Sequence, residues 1–314
     1  MSIAVPLYGF GASGGGSGGT LTVTAPANVT VSVSKDGKTK TKNSGTSGVV
    51  VFKGLASGTW TVTITGDGKT AQKNVVITTD YSTAISFNTI PEFTYTGDYE
   101  IVNDSDEPIT VSQGNWKIRF LTSGTLTFTN LNGAEGGIDV FLVGGGGDGG
   151  ARNWNPDSEI QMHGAGGGGG HTKTQKNIAV TVGTAYTITI GSNTGTTNAF
   201  GLSAPGGTSA YGASRGWENG GSGGSGGGAT NGTGGTDGGN GTAPDLGDAG
   251  TGQGTTTREF GETNGRLYAS GGNGDKTNST VANSGNGADG RSTGDPSTSK
   301  NPGASGITVI RNKR

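Results

Sequence analysis

NGGSGGSGGGATNGTGGTDGGNG, running from Asn219 to Gly241, decides how the chain is read. Its non-glycine residues fall three apart: Asn219, Ser222 and Ser225, then, after a break, Thr230, Thr233 and Thr236. A period of three matches a left-handed extended helix of the polyproline II type, which has three residues per turn and no internal hydrogen bonds. Its backbone donors and acceptors point outward. Glycine lacks a Cβ, so several such helices can lie side by side and exchange those bonds. The expectation is a packed array of polyglycine helices clamped by β-strands.

Two other readings compete. Collagen needs glycine at every third position with abundant proline, and here 9 prolines and no sustained Gly-X-Y register rule it out. Disorder is the stronger rival, because 68 glycines and 9 prolines reach the edge of the low-complexity range. Against it, strand-like sequence resumes beyond the tract and runs to the C-terminus. Only 28% of residues are hydrophobic, so stability must lean on backbone hydrogen bonds and thin sheets. A formal net charge of -2 argues against nucleic acid or an anionic membrane as main partner. The absence of Cys excludes disulfides and thiolate metal sites.

Residues 1–19 read as an anchor peptide, with Ile3, Val5, Leu7, Tyr8 and Phe10, followed by a Gly/Ser linker. Such a peptide can plug a groove or sheet edge on another protein, or remain a loose terminus. It has no basic n-region or long apolar run, which fits a protein released by host lysis rather than by a signal peptide. No stretch approaches the roughly 20 apolar residues that span a membrane.

From 20 to 88 the pattern is period two: Leu21 and Val23, Val29 to Val33, Val49 and Val51, Trp60 to Ile64, Val75 and Ile77, Ile85 and Phe87. Turns at Asp36-Gly37, Ser57-Gly58 and Asp67-Gly68 separate them. This predicts a small antiparallel β-sandwich. Residues 89–114 read as an irregular connector in which Asp104, Asp106 and Glu107 form a solvated loop. Strands follow at Trp116–Phe120, Thr125–Phe128 and Ile138–Val143, with a hairpin over 178–191 turning at Gly183-Thr184. A last strand, Ile307–Arg311, must pair with edges far earlier, so the glycine-rich region is an insertion held at both ends. The fold class is therefore all-β with essentially no α-helix. Residues 115–314 are expected to form a jelly-roll-like sandwich with inserted, packed polyglycine II helices.

The succession "SGTLTFTN", "GAEGGIDVFLVGGGG", "GAGGGGGHTKT", "VTVGTAYTITIG", "GGTSAYG" and "GASGITVIR" resembles the glycine-rich domains of bacteriophage tail proteins, and the block Gly250 to Gly274 is similar to one recurring there. A more distant likeness is to the polyglycine-helix domains of T-even-type tail-fibre adhesins and of the anaplastic lymphoma kinase family. The N-terminal sandwich resembles PEGA and carboxypeptidase-regulatory modules, usually spacers. The resemblance implies a virion tail protein that recognises a host receptor.

Catalytic patterns are weak. His163 and His171 lack triad or metal-ligand spacing, and no phosphate-loop motif occurs. Glu259 and Glu262 straddle Phe260 and read as partners of Arg258 in an ion pair rather than as a glycosidase pair. No enzyme activity, cofactor or metal is expected. In a glycine lattice bulky side chains must emerge at loop tips. The receptor-contact candidates are Arg152, Trp154, Asn155 and Met162, then Trp217 and Glu218, then Arg258, Phe260 and Tyr268. Trp217 and Tyr268 can equally plug the lattice as hydrophobic caps. The reading is a tail fibre or tip adhesin of the virion, extracellular after lysis, binding a host glycan or outer protein, with a homotrimer open. The alternatives are a decoration protein of the capsid or tail surface without receptor binding, an ice-binding protein, and a glycan depolymerase.

Overall fold

The structure is a computed structural model describing residues 18–66, 69–87, 89–110, 112, 114–151, 153–155, 160–162, 164–212, 218–228, 250, 252–274, 281–291 and 300–314, with only the backbone for 69, 153–155, 160–162, 211–212 and 218–219. Among the described residues there is no α-helix, only two 3-10 turns, Gly254–Thr257 and Glu259–Gly261. The chain divides into two compact units, the division falling between Asn88 and Thr89.

The first unit holds β1 (Gly19–Thr24), β2 (Thr30–Lys35), β3 (Lys38–Asn43), β4 (Val49–Leu55), β5 (Gly58–Gly66), β6 (Lys69–Ile77) and β7 (Tyr81–Ala84). Sheets β3-β2-β5-β6 and β4-β1-β7 enclose Leu21, Val31, Phe52, Trp60, Ile64 and Ile77. The sandwich departs from its expected form in three ways. β7 pairs with β1 in parallel. In β4 the buried side chains are Val50 and Phe52, not Val49 and Val51, and Val49 is 46% exposed. The larger Phe52 wins the core position, and a register shift at Gly54 (φ +66) lets Leu55, three residues on, face inward as well. Strand β3, KTKTKN, is exposed throughout, so no apolar period announces it. Its Lys40 and Lys42 ammonium groups donate to the Lys53 and Val51 carbonyls, 2.7 Å each, and so stitch the open edges of the two sheets together.

The second unit opens with β8 (Glu92–Tyr95) and β9 (Tyr99–Val102), both inside the stretch read as an irregular connector. β8 pairs with β11 (Gly124–Asn130) and β9 with β10 (Lys117–Phe120). Four-residue strands at sheet edges are too short to show a period. The remaining elements are β12 (Ile138–Val143), β13 (Asn153–Asn155), β14 (Ile160–Met162), β15 (Thr172–Ile178), β16 (Ala185–Ile188), β17 (Thr197–Ala199), β18 (Leu202–Ala204), β19 (Tyr211–Gly212), β20 (Glu218–Asn219) and β21 (Ile307–Asn312). The main sheets run β15-β12-β21-β10-β9 and β16-β11-β8, with Trp116, Ile118, Phe120, Leu126, Phe128 and Ile310 among the core residues packed together. The hairpin expected over 178–191 does not form. β15 and β16 belong to different sheets, and the turn between them crosses the sandwich, with the Gly183 N–H donating to the Phe128 carbonyl. The C-terminal strand lies between β12 and β10 in the middle of its sheet.

Three adjacent strands run directly into extended glycine threads. β12 continues as 144–150, β15 is preceded by 164–171, and β21 by 301–306. The pairing register passes through without a slip. Val143 faces Thr172 in the sheet, after which Gly144, Gly147 and Gly150 donate to His171, Gly168 and Ala165. On the other side Val143 faces Ile307, and Gly146 and Gly149 donate to Ala304 and Asn301. Contacts thus recur every third residue, as the polyproline II period requires.

Thread 164–171 lies at the centre. Gly164, Gly167 and Gly170 donate to Arg291, Ala288 and Gly285; Gly166 and Gly169 to Gly228 and Ser225; Gly168 and His171 to Thr208 and Pro205. Gly221, Gly224 and Gly272 donate back to Gly166, Gly169 and Gly167. The described part of the tract that announced the fold flanks this thread. Its residues 219–228 form a hairpin, and Thr230, Thr233 and Thr236 lie outside the described residues. Ser222 is exposed while Ser225 is buried, so the period-three positions do not share one face. Glycine is required here for close approach: an added Cβ would stand 1.9 Å from the Thr208 carbonyl oxygen at Gly147 and 2.1 Å from that of Gly147 at Gly167.

Gly167→Ala should therefore destabilise the second unit by about 3 kcal/mol or more, since only backbone can yield. Gly183→Ala, at φ +79 with nothing within 4 Å, should cost about 1–2 kcal/mol. Urea unfolding followed by hydrogen exchange, with residues 18–87 as internal control, measures both.

Candidate functional site

The five-stranded sheet is covered on both faces. One face meets the smaller sheet; against the other, Phe141, Val143, Ile307 and Val309 pack on Phe260 and Tyr268. Along one side of this second face charged residues replace apolar ones. Asp139 on β12 faces Arg311 on β21, which faces Lys117 on β10, and Arg119 on β10 faces Glu100 on β9. Pairing places these side chains in rows across the strands. Glu259 descends onto them from the second 3-10 turn, and the turn around Asp106 closes from the other side.

The ion pairs are close. Lys117 Nζ lies 2.7 Å from Glu259 Oε2 and also touches Asp106 Oδ1. Arg119 Nη2 is 2.5 Å from Asp106 Oδ1 and 3.3 Å from Glu259 Oε1, with Nη1 3.2 Å from Glu100. Arg311 Nε is 3.2 Å from Asp139 Oδ2, its Nη2 2.6 Å from Glu262, and its guanidinium 4.0 Å from the centre of the Phe260 ring. Arg314 Nη2 holds Asp104 at 2.5 Å. Lys117, Arg119, Arg311, Asp139 and Glu259 are all buried, whereas Asp104, Asp106 and Glu262 are partly open. Around them is a cleft of about 520 Å³, lined also by Asn264, Gly265 and Arg266.

Burial pushes the Asp106 carboxyl up, but the Lys117 hydrogen bond and the Arg119 and Lys117 charges outweigh it and hold the group below the usual carboxylate range. Asp104 follows the same pattern through Asn115 and Arg314. The hydrogen bond from Arg311 lowers Glu262. Burial, then Glu259, pushes the Tyr268 phenol up. Burial pulls Arg119 down, but Tyr268, Glu259 and Asp106 reverse this. Each carboxylate of the cleft thus has a cation against it, and the arrangement acts as a clamp between the sheet and the segment 254–268.

Several expected contact residues belong to this clamp. Tyr268 is 0% and Phe260 4% exposed, so neither offers a surface. Phe141 draws both inward, with ring centroids at 5.5 and 5.9 Å, which leaves Tyr268 the capping role. Arg258 is half-buried and donates from Nη1 to the Gly265 carbonyl at 3.2 Å. Glu259 and Glu262 pair with Lys117, Arg119 and Arg311 rather than closing a local pair with Arg258. The acidic turn at 104–107, expected to be solvated, supplies Asp106 to the clamp. Lys117, Arg119, Arg311 and Asp139 did not stand out in the sequence. The available signal was a charge inside each otherwise apolar strand, KIRF, IDVFLV and ITVIRN.

The other candidates collect elsewhere. Trp154 and Asn155 lie on β13, facing Gln161 and Ile160 of β14, which also carries Met162. Glu218 lies on β20, facing Gly212 of β19. Arg152, Trp217 and His163 lie outside the described residues, as do Ile3, Val5, Leu7, Tyr8 and Phe10. His171 is exposed at the sheet end of the central thread. The hydrogen-bond register gives each thread a sheet end and a far end. Residues 150 and 164, 212 and 218, 228, and 291 and 300 belong to the far half, whereas 250 lies midway and 281 stands near the sheet end. Among the described residues no group of three or more His, Cys, Asp or Glu side chains could hold a metal.

Residues 121–313 match the family described as "Glycine-rich domain". No curated protein matches the chain. A DUF3823 family protein from Bacteroides ovatus aligns over 54% of this chain and 79% of its own at 10% identity, with a TM-score of 0.22, too low to bear on fold or function.

Asp139→Asn should destabilise the second unit by about 3 kcal/mol, because it leaves the buried Arg311 with Glu262 alone at the rim. Chemical denaturation measures it. A carboxyl lowered in the folded state adds stability above its unfolded value of about 4 and loses it as pH falls through the folded value. Stability of the second unit should therefore hold steady from about pH 5 to 8 and fall below about pH 4. Asp104→Asn and Glu262→Gln should each flatten that fall in a pH series of melting curves.

Proposed function

The chain belongs to the glycine-rich domain family, and from that premise we propose that it is a bacteriophage tail protein, a fibre or tip adhesin, that recognises a host-cell surface receptor from the far end of its glycine lattice. One observation carries the reading. The described residues that flank three stretches, 150 and 164, 212 and 218, and 291 and 300, lie in the half of the lattice remote from the sheet. Binding residues held on connections above a rigid scaffold are a common solution for recognition. These stretches or their stems carry Arg152, Trp154, Asn155, Met162, Trp217 and Glu218, and Trp and Arg are the side chains that dominate interface energies. Flat rings also suit sugar faces, so a surface glycan fits the reading as well as an outer protein does. Attachment to other tail proteins falls to the N-terminal peptide with Ile3, Val5, Leu7, Tyr8 and Phe10, and the product of lysis is an extracellular virion.

The test uses labelled full-length protein on a panel of bacteria, with immunogold microscopy of phage particles grown on any strain that binds. Saturable binding that blocks phage adsorption is expected, and Trp154→Ala should weaken it about tenfold or more with the melting curve unchanged. Gold on the virion with no cell binding would point instead to a surface decoration protein.

A further inference from the structure

Lys117 is buried, yet its ammonium group stands between two carboxylates, touching Asp106 Oδ1 and 2.7 Å from Glu259 Oε2. The clamp does not depend on it for charge bridging. Arg119 already spans the same two carboxylates, at 2.5 Å from Asp106 Oδ1 and 3.3 Å from Glu259 Oε1. An ammonium held against a carboxylate, closed off on the sheet side and open to a cleft on the other, is also the starting state of an amide condensation. We propose that Lys117 and Asp106 join after folding in an intramolecular amide bond, with Glu259 as the proton carrier.

The step balances with no further reactant. Glu259 relays a proton from the Lys117 ammonium to the Asp106 carboxylate, and the freed Nζ electron pair adds to Cγ of the neutral acid so formed. The new N–C bond forms as negative charge gathers on the Asp106 oxygens, where Arg119 Nη2 already sits at Oδ1 to stabilise it. A second proton leaves Nζ, and both protons end on the departing oxygen. That oxygen goes as water through the cleft, which Asp106 and Lys117 both line. One positive and one negative charge vanish together.

Two features favour the reaction. The reacting groups are already in contact, which removes the cost of bringing them together. The Asp106 carboxylate is also held in place by its turn: the Asn103 N–H donates to the Glu107 carbonyl at 2.9 Å, and the Asp106 N–H to the Asn103 carbonyl at 3.1 Å. The product replaces an ion pair of costly desolvation with a neutral amide. The bond would pin the turn over 103–107 to β10 at the rim of the cleft.

Intact mass spectrometry of the full-length protein, purified and denatured, tests this directly. The expected mass is lower than the sequence mass by one water, with trypsin failing to cut after Lys117. Lys117→Arg and Asp106→Ala should each restore the full mass, and Glu259→Gln should leave a substantial fraction of chains unjoined while the circular dichroism stays that of a β protein. A wild-type mass equal to that of the sequence overturns the proposal. So does the loss of one water with normal cleavage after Lys117, which would mark cyclisation of an aspartate instead.

Discussion

A backbone carbonyl approaching within a hydrogen-bond length of a neighbouring backbone N–H, with no side chain between, is the contact on which the second unit depends. It recurs every third residue along thread 164–171, each set of three-apart donors reaching a different neighbour. Glycine loses more conformational freedom on folding than any other residue, so such an array needs an external template. The sheet supplies it. Because β15, β12 and β21 enter the lattice with their register intact, the first bonds of the three threads follow from strand pairing already made. Ordering then spreads outward by propagation rather than by fresh nucleation at each thread.

The template must itself be held in one register, and there the charged clamp has a second use. Both faces of β12 are buried and its six residues are apolar save Asp139, so apolar pattern alone does not distinguish one register from its neighbours. Asp139 opposite Arg311 does, while Lys117, a like charge opposite Arg311, is matched by Glu259. A slipped register would leave a buried charge without its partner, at a cost of several kcal/mol. The same ions fasten the segment 254–268, which comes from within the insertion, back onto the sheet. The lattice is thereby tied to its base at a point well separated in sequence from the strands that enter it.

What the sequence disclosed follows from this division of labour. The strands with strong alternation, the return of the last strand to the sheet and the period-three packing were all legible, since each is written in local pattern. Partners were not. The centre of the lattice fell on GAGGGGG at 164–170 rather than on the longer tract, because centrality depends on which threads surround it. Phe260 and Tyr268 look like exposed interruptions of glycine-rich sequence, yet the apolar stripe of Phe141, Val143, Ile307 and Val309 needed a cover and drew them in. Strands β8 and β9 were hidden by their shortness, and β3 by having no buried side at all. In β4 the frame turned on one side chain, with Phe52 outweighing Val49 and Val51.

A lattice made this way is held together differently from its base. Most bonds between its threads are backbone to backbone, and the side chains that complete others, Asp148, Gln253, Asn286 and Asp289, belong to the threads themselves or their flanks. The bonds named above for thread 164–171 all run to 144–150, 205–208, 221–228, 272 and 285–291, and none to 151–162. The base depends instead on side chains: a change at Asp139, Arg311 or Glu259 touches the register of the whole unit. Tolerance for substitution should therefore stop where the threads begin, since far-end Gly149, Gly164 and Gly290 are approached by backbone as closely as Gly144 and Gly170 beside the sheet. The threads are thus a fixed support whose backbone spacing, not its side chains, sets what can stand on it.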